Sequence, residues 1–447
     1  MIHGKLKINQ NMTLSMIKIL NTKSQDFKKK FNYYLNIRRK YSSSKISVVK
    51  KIVNDVKKNK DKSLIKYEKK FNNIKSLNVN KLFYSKNEIE KSVKTLDKKI
   101  KNSIDIAFKR IFNFHKNQKF KGFKIKDNFN NSLSYRSKPI NKIGVYVPGG
   151  RASYPSSVLM NCIPAIVAGV KDIYMTVPST NNQINPGVLY AAKKCKVKKI
   201  YKLGGAQAVA AFAFGTETIE KVEKIVGPGN EYVALAKKEI SGTSGIDMFA
   251  GPSEVTIVAD KNSKPDWISA DLIAQSEHDE MSQSILITDN KDLVSKVQNF
   301  INKQLKFLPK RKIASKSLKK FGLAILVKNL SQAADVVNMI APEHLQIYAK
   351  KPDKYLKLIN NAGSIFLGPY SPEAIGDYIA GPNHVLPTSG TAKFSSGLSV
   401  FDFLKRQSII KITKRGIEKL GSSVVTLSKY ENLHGHANSV KLRIKGR

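Results

Sequence analysis

Gln275 and His278 stand three residues apart near the end of DWISADLIAQSEH, whose apolar spacing predicts a helix. On a helix both side chains leave one face at neighbouring heights and could hold one metal ion. The structural alternative is a local hydrogen bond for Gln275 and an ordinary helix-end imidazole for His278. A second pair occurs at Ala341-Pro342-Glu343-His344. An imidazole titrates near neutral pH and a carboxylate can activate water or orient the ring, so such a pair can divide proton-transfer work. On a regular strand adjacent side chains point to opposite faces, so joint use requires the irregular backbone that Pro342 encourages; adjacent Glu-His pairs also arise by chance. A third group lies in SPEAIGDYIAGPNHVLPTSGTAKFSSGLSVFDFLKR, where Asp377 and His384 are the candidate ligands. Loops of that length are usually functional or disordered, and the aromatic and apolar residues here argue against disorder. Near the C-terminus, Tyr430-Glu431-Asn432-Leu433-His434-Gly435-His436 adds two more imidazoles, whereas His3 and His115 read as surface or core residues. Gln275, His278, Asp377 and a C-terminal histidine form a nitrogen-and-oxygen ligand set without thiolate. Such a set disfavours a structural zinc knot and suits zinc, or manganese or cobalt in substitution, with substrate completing the shell.

Elements that would position these residues are visible on either side of them. EVTIVAD reads as a buried strand preceding the Gln275 helix, and QSILITD, GLAILVK and GSIFLG continue an alternation of strands and helices over 251–400. The same alternation fills 142–250: IGVYVPG, DIYMTVP, KKIYKLGG and EKIVGPG separated by helical runs. The expected fold is α/β, with two Rossmann-like parallel-sheet units, an N-terminal helical region over 43–141 and a C-terminal helical tail over 401–447. Residues 1–42 form a basic N-terminal extension. Ligands in such sheets sit at the carboxyl ends of strands, and three glycine turns fall there: Pro148-Gly149-Gly150, Gly204-Gly205-Ala206-Gln207 and Gly227-Pro228-Gly229-Asn230. None is GxGxxG with an acid about twenty residues on, so the dinucleotide fingerprint is absent. Any one turn can be explained as strand-to-helix closure; three in one unit favour a binding face.

At 447 residues and 41% hydrophobic, the chain can build two or three domains with full cores. Cys162 and Cys195 are too few for a disulfide framework and have no metal-ligand spacing, which suits a reducing, cytoplasmic setting. No apolar run approaches the roughly 20 residues that span a bilayer. The net charge of +46 raises nucleic acid as a partner. Its lysines are spread along the chain and densest on helical surfaces of the first third, outside any nucleic-acid-binding motif, so solvated surface is the preferred reading. The first forty residues have no signal-peptide core and little Arg, so an export or organelle address gains little support.

Eight long segments carry a resemblance: GVYVPGGRASYPSSVLMN, GGAQAVAAFAFGTETI, IVGPGNEYVALAKKEISG, IDMFAGPSEVTIVAD, AQSEHD, APEHLQ, GDYIAGPNHVLPT and ENLHGHA. With these, from about residue 45 onward, the chain closely resembles the histidinol dehydrogenase family. The resemblance implies an oxidoreductase that converts L-histidinol to L-histidine through a bound aldehyde, using two NAD and one water, in the last two steps of histidine biosynthesis. It implies zinc held by Gln275, His278, Asp377 and His436, the last chosen over His434 because it stands five residues from Glu431. It implies Glu343 and His344 as catalytic residues. Ser253 and Glu431 join the zinc ligands and the catalytic pair as substrate contacts, with His384 as an added one. Tyr146, Gln207 and Asn230 are implied for NAD, and a homodimer whose tail completes the partner's site. Two rival readings are a zinc hydrolase or deaminase and a basic nucleic-acid-binding protein.

Overall fold

Strands buried on both faces carry near-continuous apolar runs, and two parallel sheets are built from such runs here. The structure, a computed structural model, describes residues 16–38, 43–72, 78–149, 154–179, 184–249 and 251–444. The rest of the N-terminal extension, Gly150 of the first glycine turn and Ala250 lie outside the described residues.

The first sheet has five parallel strands in the order Lys199–Tyr201, Asp172–Thr176, Lys142–Tyr146, Lys224–Val226, Gly245–Ile246. Helices Pro155–Ala168, Pro186–Lys194, Gly205–Phe214 and Glu231–Ile240 connect them. Chain order reverses between Lys142–Tyr146 and Lys224–Val226, which makes the crevice at their carboxyl ends the topological switch point. The second sheet has six parallel strands in the order Lys18–Asn21, Leu323–Leu326, Gln283–Thr288, Glu254–Ala259, His344–Tyr348, Ser364–Leu367, with its reversal between Glu254–Ala259 and His344–Tyr348. Among the described residues no helix is long and apolar enough to cross a membrane.

Two features differ from the strand and helix pattern read in the sequence. Residues 18–21, inside the basic extension, add an edge strand to the second sheet, and Ile17 and Leu20 of this arm are buried in its core. The region 43–141 is helical only as far as His115; Phe123–Lys126 and Ser132–Pro139 then pair antiparallel with each other and with Leu404–Lys411 at the start of the tail. Strand Phe123–Lys126 is exposed throughout and Leu404–Lys411 nearly so, and they lack the buried apolar run that marks the other strands. Beyond this ribbon, helices Lys414–Tyr430 and His434–Ile444 pack on each other and leave Leu420, Val424, Leu427, Tyr430, Leu433 and Leu442 exposed in the single chain.

A buried ion pair sets the third glycine turn. Lys237 Nζ lies 2.6 Å from Asp247 Oδ1, and both side chains are almost wholly buried. The ammonium donates to the Gly227 carbonyl at 2.5 Å, and Asp247 Oδ2 accepts the Gly227 N–H at 2.7 Å. Gly227 has φ +110°, and a Cβ there would lie 2.1 Å from the Tyr146 carbonyl oxygen, so backbone passes where no side chain fits. Lys237→Met leaves Asp247 buried without its cation, and denaturant unfolding should show a loss of about 3–5 kcal/mol. A Lys237→Met/Asp247→Asn double variant, which removes the buried charge and keeps an acceptor for the Gly227 N–H, should recover part of it; equal losses in both would show that the uncompensated charge is not the cause.

Candidate active site

In the second unit the chemistry gathers at the amino ends of the strands, opposite to the carboxyl-end placement expected for parallel sheets. Helix Leu330–Ile340 ends at Ala341, whose φ of +50° is left-handed, and Pro342 blocks further helix. The strand therefore starts at His344, with Glu343 just before it on irregular backbone. That departure lets adjacent residues work on one side: Glu343 Oε2 and His344 Nδ1 are 3.6 Å apart, and both side chains are buried.

One residue holds both. The Glu254 N–H donates to Glu343 Oε2 at 2.8 Å, and the Glu254 carbonyl lies 3.0 Å from His344 Nδ1. A carbonyl only accepts, so Nδ1 carries the proton and Nε2 presents a lone pair. Nε2 is buried without a hydrogen-bond partner, 3.7 Å from Asp377 Oδ1. Burial lowers the His344 pKa and so favours the neutral ring. Burial likewise raises the Glu343 carboxyl well above its ordinary range, against the opposing effect of the Glu254 N–H.

Helix Glu373–Tyr378 brings two further carboxyls, Glu373 and Asp377, to the same place, one turn apart. One ligand atom from each of His344, Glu373 and Asp377 lies within 4.8 Å of the others. Glu373 is buried, and burial, then Asp377 and Glu343, pushes its pKa well up. Gln275, fully buried on helix Pro265–Ser276, faces Glu373; with its nitrogen turned that way the amide donates to both carboxylate oxygens, at 3.0 Å to Oε2. This leaves the amide oxygen, the atom that binds metals, uncommitted to that carboxylate. His278 does not lie on the predicted helix, which stops at Ser276, but in the turn just after it. It is close enough for its charge to oppose protonation of both His344 and His384. His384 is anchored by Nδ1, 2.8 Å from the Asp377 carbonyl, and its Nε2 is 3.4 Å from Ser157 Oγ at the start of the first unit's helix Pro155–Ala168. A cavity of about 340 Å³ borders His344 and His384. Ser253 immediately precedes the Glu254 strand.

The structure thus brings together Gln275, Glu343, His344 and Asp377, with Ser253, His278 and His384 beside them. It does not bring Glu431, His434 or His436 into that cluster within one chain: Glu431 ends helix Lys414–Tyr430 and both histidines are exposed on the tail. The clustered donors overlap the sequence-derived ligand set at Asp377, and Glu373 was not singled out. Its signal was available in the four-residue spacing from Asp377, which places both carboxyls on one helix face. Two buried carboxyls, Glu343 and Glu373, and the partly buried Asp377 around a neutral imidazole suit a divalent cation.

Tyr146, Gln207 and Asn230 occupy a second cavity, of about 450 Å³, at the switch point of the first sheet. The Tyr146 hydroxyl accepts the Gly205 N–H at 3.0 Å, and burial lifts its pKa to about 12. Glu68, from helix Ser43–Asn72, accepts from Gln207 Nε2 at 2.8 Å and from the Gly204 N–H at 3.2 Å. The Asn230 side chain caps helix Glu231–Ile240 through the Tyr232 and Val233 N–H groups. All three residues therefore also shape the turns themselves.

Two Rossmann-like sheets, one with a cavity at its switch point and the other with a buried imidazole among carboxyls at its amino ends, place the chain among α/β oxidoreductases. Residues 36–444 match the family model for histidinol dehydrogenase. The chain is 50% identical over 432 residues to histidinol dehydrogenase of Pelagibacter ubique, covering 96% of this chain and 100% of that one. It is 47% identical over 425 residues to that of Agrobacterium fabrum, covering 95% and 98%. The crystal structure of histidinol dehydrogenase from Elizabethkingia anophelis superposes with a TM-score of 0.90 at 35% identity, covering 96% of this chain and 98% of that one. This chain belongs to the histidinol dehydrogenase family. The hydrolase, deaminase and nucleic-acid readings are not supported.

The His344 tautomer can be checked directly. In metal-free protein, nitrogen-15 shifts of the ring should report protonated Nδ1 and bare Nε2 near neutral pH; the opposite tautomer would remove Nε2 as a proton acceptor.

Proposed function

We propose that this chain oxidises L-histidinol to L-histidine, the last two steps of histidine biosynthesis, in the cytoplasm, as a homodimer with shared active sites. The observation that carries the reading is the bare, buried Nε2 of His344, held in its tautomer by the Glu254 carbonyl, in a chain of this family. Zinc, when bound, would grip the substrate's imidazole and amine and so fix its carbinol carbon, and NAD would take up one hydride in each of two steps. Gln275, His278 and Asp377 are the residues assigned to hold that metal from one subunit, with His436 from the other. Tyr146, Gln207 and Asn230 are assigned to NAD.

His344 Nε2 takes the hydroxyl proton as the alcohol becomes an aldehyde. Glu343 then removes a proton from the water that adds to the aldehyde, giving a hydrate from which the second hydride can leave. Its buried carboxyl is held toward the reacting side by the Glu254 N–H. Ser253 and Glu431 contact the substrate, and His384 adds a contact from the Asp377 loop. The exposed apolar row on the tail, Leu420, Val424 and Leu427 with Tyr430 and Leu433, supports burial against a second subunit.

Adding histidinol and NAD should raise NADH absorbance in untreated protein and not in chelator-treated protein. In the same assay, His344→Asn should lower turnover roughly a hundred- to ten-thousandfold, the range for a lost general base, and near-wild-type turnover would remove His344 from that role. Removing the residues after Leu427 should abolish zinc binding; a truncated protein that retains stoichiometric zinc rules out His436.

A further inference from the structure

Arg38 is almost completely buried, its side chain 2% exposed, and its guanidinium is shared among five acceptors of the described residues. Nε donates to the Met281 carbonyl at 2.7 Å. Nη1 donates to Glu254 Oε1 and to Gln283 Oε1, each at 2.9 Å. Nη2 donates to the carbonyls of Pro252 at 2.7 Å and Ser253 at 3.3 Å. These acceptors belong to two neighbouring amino ends of the second sheet. One is the 252–254 approach to strand Glu254–Ala259; the other is the turn that carries His278 and leads to strand Gln283–Thr288. The third amino end is fastened to the first, because Glu254 offers its N–H to Glu343 and its carbonyl to His344.

We propose that Arg38 is a positioning residue for the reaction: it locks the 252–254 backbone and, through the Glu254 peptide groups, sets where Glu343 and His344 point. The inference rests on the roles assigned above to Glu343 and His344. A planar guanidinium suits the task because its fixed fork reaches a carboxylate, an amide oxygen and three carbonyls at once, whereas an ammonium offers three donors from one point. The same Glu254 Oε1 also accepts the Ser389 N–H at 3.1 Å, so Arg38 supplies the counter-charge and Ser389 a second contact to that oxygen. Arg38 follows helix Phe27–Asn36, and the arm is fixed upstream by strand Lys18–Asn21. A segment whose composition reads as a solvated basic extension therefore delivers one cation beneath the catalytic pair.

The test uses full-length, zinc-loaded Arg38→Lys, Arg38→Gln and Arg38→Ala proteins, with wild type and Glu343→Gln alongside. For a displacement on the order of 1 Å at the bases, kcat with histidinol should fall roughly a hundredfold in Arg38→Lys, while KM for NAD, bound at the other sheet, stays unchanged. Free guanidinium should restore part of the lost turnover to Arg38→Ala and none to Glu343→Gln. If Arg38→Gln does not fold, Arg38→Lys and the rescue experiment decide. A folded Arg38→Lys protein with wild-type kcat overturns the inference, as does a lowered melting temperature with turnover per folded site unchanged. If Glu343→Gln itself turns over like wild type, it is the catalytic assignment that fails; if Glu343→Gln is impaired and Arg38→Lys is not, only the positioning role is lost.

Discussion

A charged group taken out of water must be paired and hydrogen-bonded, and this constraint governs both working edges of the molecule. Under the edge that carries Glu343 and His344 it is met by Arg38 with Glu254; under the glycine turn at Gly227, by Lys237 with Asp247. A buried pair of this kind is weak evidence for net stability, because desolvation offsets much of its attraction. Its consequence here is geometric. Both cations also bond backbone carbonyls, so each pair fixes a turn whose course would otherwise be set by loose loop packing. The functional side chains then inherit their positions from backbone: Glu343 and His344 from the Glu254 peptide, and Asn230 from a turn that begins at Gly227.

Apart from the added edge strand Lys18–Asn21, the two sheets share one strand order but present opposite ends. In the first, the cavity lies at the carboxyl ends of strands, where helices Gly205–Phe214 and Glu231–Ile240 begin and their positive dipole ends suit phosphate. In the second, the site lies at the amino ends, where helices Pro265–Ser276 and Leu330–Ile340 finish. Helix C-termini carry partial negative charge and favour cations. An anionic dinucleotide at one edge and a metal ion with an amino alcohol at the other are what these two environments would select, which supports the reading under which both ligands are used together.

The parallel strands were legible because burial on both faces forces unbroken apolar runs, and the glycine turns because a position such as Gly227 has no room for a side chain. The Glu343-His344 pair was legible as chemistry, and Pro342 pointed to the irregular backbone that lets both be used. Other parts left no such trace. The antiparallel ribbon is solvent-facing, so nothing in FKIK distinguishes it from a loop. Arg38 is one buried cation in a stretch where most are solvated, and which lysine or arginine finds a carboxylate 216 positions away is a tertiary fact. Glu68 sits in a helix whose apolar spacing describes only its packing face, yet its carboxylate serves the turn that carries Gln207. His278 was misplaced onto the helix because periodicity continues through a turn that retains helical backbone at Glu277.

Net charge raises a last question, since a chain of +46 should repel a cationic amino alcohol. At physiological salt the screening length is about 8 Å, so lysines scattered over the surface are largely invisible to a molecule in the catalytic cavity. What such a molecule meets there is Asp377, Glu343 and Glu373, with Glu254 already neutralised by Arg38. A cation bound there favours the ionised forms of carboxyls that burial otherwise holds neutral, and these near, little-screened groups then outweigh a larger but distant excess of the opposite sign. The same argument explains why a strongly basic composition is a poor guide to ligand charge in this protein: the sign that matters is that of the few groups lining the site, and those were readable from Glu343 and Asp377 rather than from the total.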